Sequence, residues 1–300
     1  MKISLPASAP AIVARTLCAL SIISWDVAGA GTLSEPHWSG LPIWGAEAAA
    51  RGYEIPLPFG VGLTAYSARQ PVDIHDLQLG RNGNAPVSVT NFLQIDRVDT
   101  SQQNVSAKLD VLVFPFLDVY ALLGYTKGST KGLIQVPSEP ILGIIEPAVL
   151  QLNASFRGPT YGAGVTLQGG FKVNEWRDLT TFAVVDANRT QTKLSFDNDA
   201  LVAETKPIAT VISARLGLHG VLGPSMGAGV WIGAMHQRIQ QTVAGSVANT
   251  NLQFAVVQSP TNPWNMILGG LIEFGNDFSA LIEGGVGDRK SILAAVVYRF

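Results

Sequence analysis

The sequence predicts an all-β chain: a transmembrane, up-and-down antiparallel β-barrel of about ten strands, with twelve or eight as the alternatives. Three observations predict it. Apolar residues recur at every second position in segments of about ten residues, punctuated by Gly, Pro, Asn and Asp. No run offers the ~20 uninterrupted apolar residues of a spanning helix, because the richest, "LDVLVFPFLDVYALLGY", is cut by Asp110, Pro115 and Asp118. The 300 residues are nevertheless 47% hydrophobic and only 14% charged, and the polar faces of the alternating segments are rich in Gly and small residues. A water-exposed β-sandwich also alternates, but segments of ten or more residues match the length that a tilted strand needs to cross a bilayer.

The elements follow in order. Lys2 and Arg15 flank a leader with the apolar run "TLCALSIIS", and Ala28-Gly29-Ala30 ends it in a small-x-small pattern. Residues 1–30 therefore read as a secretory signal peptide; Cys18 follows Leu17, not a small residue, so lipidation is not expected. Removal of the leader leaves a chain without cysteine, so its stability cannot rest on disulfides. Residues 31–57 are a periplasmic lead-in or a plug segment, with a helical turn or two over Ala46–Arg51.

Residues 58–300 carry the strands. Alternation places them at Pro58–Ala68, Asn104–Phe114, Val119–Lys127, Thr160–Lys172, Arg177–Arg189, Pro207–Leu218, Gly227–Thr242, Asn265–Phe274, Phe278–Val286 and Ser291–Phe300. Tight reversals at "FPFLDV", "VNEW", "HGVLGPS" and "GND" belong on the periplasmic side. Long polar loops near 70–103, 129–158, 190–206 and 243–263 belong outside, the first able to form a hairpin above the membrane. Aromatic residues near segment ends form the expected interface girdles: Phe59, Tyr66, Phe114, Phe116, Tyr120, Tyr125, Tyr161, Trp176, Trp231, Trp264, Phe274 and Phe278.

The chain ends in "SILAAVVYRF", with Ile292, Ala294, Val296, Tyr298 and Phe300 on one face. Together with the leader and the alternation, this resembles the C-terminal signature of Gram-negative bacterial outer-membrane β-barrels. The resemblance implies location in the outer membrane. It implies that Val296, Tyr298 and Phe300 are an assembly signal read by periplasmic chaperones and the barrel-assembly machinery, and that lipid and lipopolysaccharide surround the wall. It specifies location and assembly rather than an activity.

If the apolar faces meet lipid, Lys108, Asp110, Arg215, Glu273, Glu283 and Arg299 point inward, since a Lys or Arg facing lipid costs roughly 2–4 kcal/mol at midplane. Three cations and three anions suit an internal charge network better than an open charged pore. The function expected from this is a structural or small-solute transport barrel of porin-like type. The alternatives are a surface protein that meets a host or surface ligand through its loops, and an outer-membrane hydrolase. A formal net charge of −2 leaves no electrostatic footprint for nucleic acid.

No cofactor, metal site or enzyme activity is expected: there is no G-x-S-x-G motif, no His pair at ligand spacing, no phosphate-binding loop and no dinucleotide fingerprint. The best chemical cluster is Asp73, His75 and Asp76, with Asp96 and Asp99 nearby. It resembles in part the Asp and His residues of omptin-type outer-membrane proteases, but the opposing acidic pair of that family has no counterpart.

Overall fold

The computed structural model describes residues 40–300, apart from 52, 54, 82, 93, 97, 137–147, 175–178, 197–200, 248–250 and 276. The expected leader, residues 31–39 of the lead-in, and Trp176 lie outside the described residues.

Ten strands form a closed antiparallel barrel, so the count of ten holds and eight and twelve do not. They are β1 (Phe59–Arg81), β2 (Val98–Phe114), β3 (Leu117–Val136), β4 (Ala148–Asn174), β5 (Leu179–Thr192), β6 (Ile208–Gly223), β7 (Met226–Gln240), β8 (Trp264–Phe274), β9 (Phe278–Val286) and β10 (Lys290–Arg299). Each pairs with its sequence neighbour, and β10 closes on β1 from Gly60↔Arg299 to Arg69↔Lys290. Phe300 finishes the seam, with Phe300 N–H donating to Phe59 O (2.9 Å) and Phe59 N–H to Phe300 O (3.2 Å). Closure satisfies the backbone within the wall, which a bilayer demands of any β structure that crosses it.

Burial alternates along every wall strand as the parity of the sequence requires. Leu63, Leu109, Leu123, Val230, Ile232 and Met266 are each more than half exposed on the outside, while their neighbours turn into the lumen. The exposed face is the lipid face. At the end carrying Phe300, Phe59 stacks on Phe300 and Phe300 on Tyr298, and Phe274 pairs with Phe278. A short helix, α1 (Gly45–Ala50), lies at the same end, where Trp44 packs on Phe114 and Phe116 and Ile43 N–H donates to Val113 O. Three members of the expected girdle are instead buried in the lumen: Tyr66, Tyr120 and Trp231. They share parity with inward residues, and parity outranks nearness to a strand end.

The wall is uneven in height. A tilted strand crosses with about 9–11 residues. β8, β9 and β10 have 11, 9 and 10, whereas β1 has 23 and β4 has 27, so the β1–β4 side rises far above the bilayer. Much of what the sequence suggests as loop is therefore strand. Above the short side, loop segments continue the ladder. From Val72, β1 leaves β10 and pairs with Leu252–Pro260, which pairs with Thr242–Val247, then Leu201–Thr205, then Leu194–Phe196, which returns to β4 at Phe156. A second course of strands thus stands on the first. Where the two courses meet, above the β9–β10 turn, side chains join them: Asn262 Nδ2 donates to Asp288 Oδ2 (3.0 Å), and Arg289 Nε to Gln70 Oε1 (2.7 Å).

Candidate functional site: the lumen

The lumen is filled in layers. Lys108 sits between two aspartates, Nζ being 2.9 Å from Asp118 Oδ2 and 3.4 Å from Asp110 Oδ1, with Arg299 donating to the far oxygen of Asp110 at 2.7 Å. The same ammonium lies 4.6 Å from the centre of the Tyr120 ring. Tyr120 OH donates to Asp186 Oδ2 at 2.7 Å, and Thr166 and Asn188 also donate to that carboxylate. Across the lumen Arg215 grips Glu283 with two bonds, 2.7 and 3.0 Å, and Trp231 Nε1 donates to Glu283 at 2.7 Å. His219 Nε2 lies 2.8 Å from Glu273 Oε2.

All six charged residues expected inside are buried there. The structure brings Lys108, Asp110 and Arg299 into one chain, joins Arg215 to Glu283, and gives Glu273 a separate partner. Sequence reasoning missed Asp118, Asp186 and His219. Asp118 and His219 fall inside stretches read as turns, but β3 starts at Leu117 and β6 runs to Gly223, which puts both on inward strand positions. With them, the described lumen holds five carboxylates in this region against three fixed cations, so the expected balance of charge shifts to an acidic excess.

Over β2–β5 a belt of hydroxyls replaces the charges. Asn104 donates to Thr126 (2.7 Å), Thr126 bonds Thr160 (2.7 Å), and Thr160 bonds Thr192 (2.9 Å), one link per strand. Apolar layers fill the rest, one built on Tyr66, Leu122, Phe182, Trp231 and Leu293, another on Val211, Met235, Ile239 and Ile267. Glycines make room for the large side chains: a Cβ on Gly164 would strike the Tyr120 ring and hydroxyl, and one on Gly269 the Trp231 ring.

Near the outer end the accounting changes. The carboxamides of Gln237, Gln241 and Asn265 are buried with neither their nitrogen nor their oxygen bonded, and Arg289 leaves one guanidinium nitrogen, Nη2, without a partner. Buried polar groups are ordinarily paired, and each left open costs about 1–3 kcal/mol.

The Asp73, His75 and Asp76 cluster lies on the upper part of β1, and the three side chains go separate ways. Asp73 accepts from Thr261 Oγ1 (2.8 Å), His75 Nε2 shares a 2.5 Å hydrogen bond with Ser259 Oγ, and Asp76 accepts from Ser88, Gln78 and Thr90. Burial pushes the Asp76 carboxyl up, but the three donors outweigh it and hold it below the usual value. Asp96 accepts from Gln135, and Asp99 pairs with Arg69. Among the described residues no three metal-binding side chains gather.

No family model and no curated protein matches the chain. The chain is similar to several solved outer-membrane proteins. The outer membrane protein OprG from Pseudomonas aeruginosa is 9% identical, with 82% of this chain and 98% of that one covered and a TM-score of 0.39. The translocator domain of the autotransporter NalP from Neisseria meningitidis is 12% identical, covering 85% and 92% with a TM-score of 0.35. The Ralstonia pickettii toluene transporter TbuX is 9% identical, covering 82% and 90% with a TM-score of 0.32. The closed ten-strand wall with its apolar outer band is the architecture of Gram-negative outer-membrane β-barrels, and this chain is a barrel of that kind.

Proposed function

We propose that the chain is an outer-membrane barrel of the small-solute, porin-like type, with a lumen that is closed at rest and takes up its solute at the outer end. One observation carries this reading: Gln237, Gln241 and Asn265 present unbonded carboxamides inside the barrel. A barrel that served only as a scaffold would gain stability from apolar residues at those positions, whereas a solute offers the missing partners. The filled ion-paired layers below hold passage to small molecules and to moments of rearrangement. In the same reading residues 1–30 direct export and are removed, Val296, Tyr298 and Phe300 engage the assembly machinery, and lipopolysaccharide meets the upper wall.

The test is swelling of vesicles that contain the refolded barrel, in solutes of increasing size. Small neutral solutes are expected to enter faster than in protein-free vesicles, and Gln237→Leu with Asn265→Leu is expected to slow them while raising resistance to unfolding. Entry no faster than the protein-free rate for every solute would defeat the proposal.

A hydrolase is the second reading, favoured by the Ser259–His75 hydrogen bond. No carboxylate among the described residues bonds the other ring nitrogen of His75, so the orienting third group of a nucleophile–base pair is missing. Ester or peptide turnover that vanished in Ser259→Ala would establish it.

A further inference from the structure

Arg289 sits in the β9–β10 turn and is 2% exposed. Its Nε donates to Gln70 Oε1 at 2.7 Å, its Nη1 contacts Met235 Sδ at 3.5 Å, and its Nη2 has no partner. No carboxylate faces it: the adjacent Asp288 is turned outward to Asn262, and the acidic residues of the lumen are engaged on Lys108, Arg215, Arg299, Tyr120 and His219. Every other lumen cation in the described structure has a carboxylate partner. A buried guanidinium without a counter-ion is costly, and an arriving anion relieves that cost.

The surroundings are shaped for such a guest. Met235 pairs with Asn265 across β7 and β8, and Gln237 stands two residues along on the same face of β7, so both open carboxamides belong to the patch around Arg289. The turn itself is cut back: a Cβ at Gly285 would come 2.5 Å from Asn265 Nδ2, and one at Gly287 2.9 Å from Asn265 Oδ1. A groove of about 530 Å³ runs along the outward side of the same turn, lined among others by Ala68, Arg69, Gly285, Gly287 and Lys290, with Arg289 and its carboxamide neighbours on the inward side of the wall from it.

We infer that this turn, with the facing residues of β1, β7 and β8, binds a small monocarboxylate: the carboxylate on Arg289 Nη2 and the carboxamides of Gln237 and Asn265, the aliphatic part beside Met235. A carboxylate fits better than a spherical anion because guanidinium and carboxamide N–H groups present directional donors to two oxygens. The inference rests on the lumen being a solute-handling interior, and it adds the sign and the class of the solute.

The test is calorimetric titration of the refolded full-length barrel in detergent with butyrate, and in parallel with the neutral butyramide and with chloride. Saturable butyrate binding is expected, at least tenfold weaker in Arg289→Gln, less affected in Arg289→Lys, and at least tenfold stronger than that of butyramide or chloride. Each variant is first checked for folding by its shift on boiling in a denaturing gel. Equal binding of butyrate and butyramide, competition by chloride at equal concentration, or an unchanged affinity in Arg289→Gln would overturn the inference, as would no binding at all. Vesicle swelling separates the two proposals: loss of butyrate binding with neutral solute entry intact removes the site, and binding without entry removes the passage.

Discussion

The Arg215–Glu283 pair gives the sharpest quantitative prediction. Replacing Glu283 with Ala removes two charge-assisted bonds to Arg215 and the bond from Trp231 Nε1, and leaves Arg215 with Ser213 as its remaining side-chain partner. Both partners are within 3% of full burial. Breaking one side of such a pair costs about 3–5 kcal/mol, and the orphaned indole N–H adds about 1 kcal/mol or more, so a loss of about 4–6 kcal/mol is expected. The double replacement Arg215→Met with Glu283→Leu strands no charge and is expected to lie within about 2 kcal/mol of the parent. The assay is reversible urea unfolding of the barrel in lipid vesicles, followed by tryptophan emission, with band shift on boiling as a second readout. A loss below about 1 kcal/mol for Glu283→Ala, or a double variant as damaged as the sum of its singles, would refute the claim that the pair is dry and mutually dependent.

Three further outcomes follow from the geometry. Gly164→Val places its branches in the Tyr120 ring, so it is expected to lower stability by about 1–3 kcal/mol, read as an earlier urea midpoint, whereas Gly169→Ala, with open space beyond it, should leave the midpoint unchanged. Deletion of Phe300 removes two closing backbone bonds and two ring contacts, and is expected to reduce the folded fraction in outer-membrane preparations several-fold; full recovery of folded protein would contradict that role. Asp76 is held below the usual carboxylate value, so its contribution is complete above about pH 4 and is lost as pH falls through its folded value; proteolysis near residues 87–92 should increase only below that range, and not in Asp76→Asn.

The wall was legible because side chains alternate with period two, and one misplaced residue would turn an entire face from lipid to lumen. Ser106, Lys108 and Asp110 could be assigned inward from Val105, Ala107 and Leu109 alone. Strand ends were less legible. In "FPFLDV" the reversal needs only Pro115 and Phe116, so Asp118 is already inside, yet nothing apolar alternates there to say so. The same limit hid the height of β1 and β4: above the bilayer the outer face loses its apolar band, so the alternation fades although Val72, Leu77 and Phe156 stay buried and the hydrogen-bonded ladder goes on. Pairings such as Tyr120 with Asp186, 66 residues apart, or His75 with Ser259, 184 apart, depend on register and closure, which no local pattern carries. Arg289 gave no signal either, since an arginine in a tight turn ordinarily faces water.

The stacked upper course changes what a surface loop means in this protein. Leu252–Pro260 is the hydrogen-bonding partner of β1 over Val72–Arg81, so trimming the 243–263 connection would strip a long β edge bare well above the membrane. A bare edge recruits whatever strand it meets first, including its counterpart on another copy. Epitope grafts or deletions in that connection would therefore report on clumping before they report on recognition, because the segment is built into the wall rather than set on it as a surface ornament.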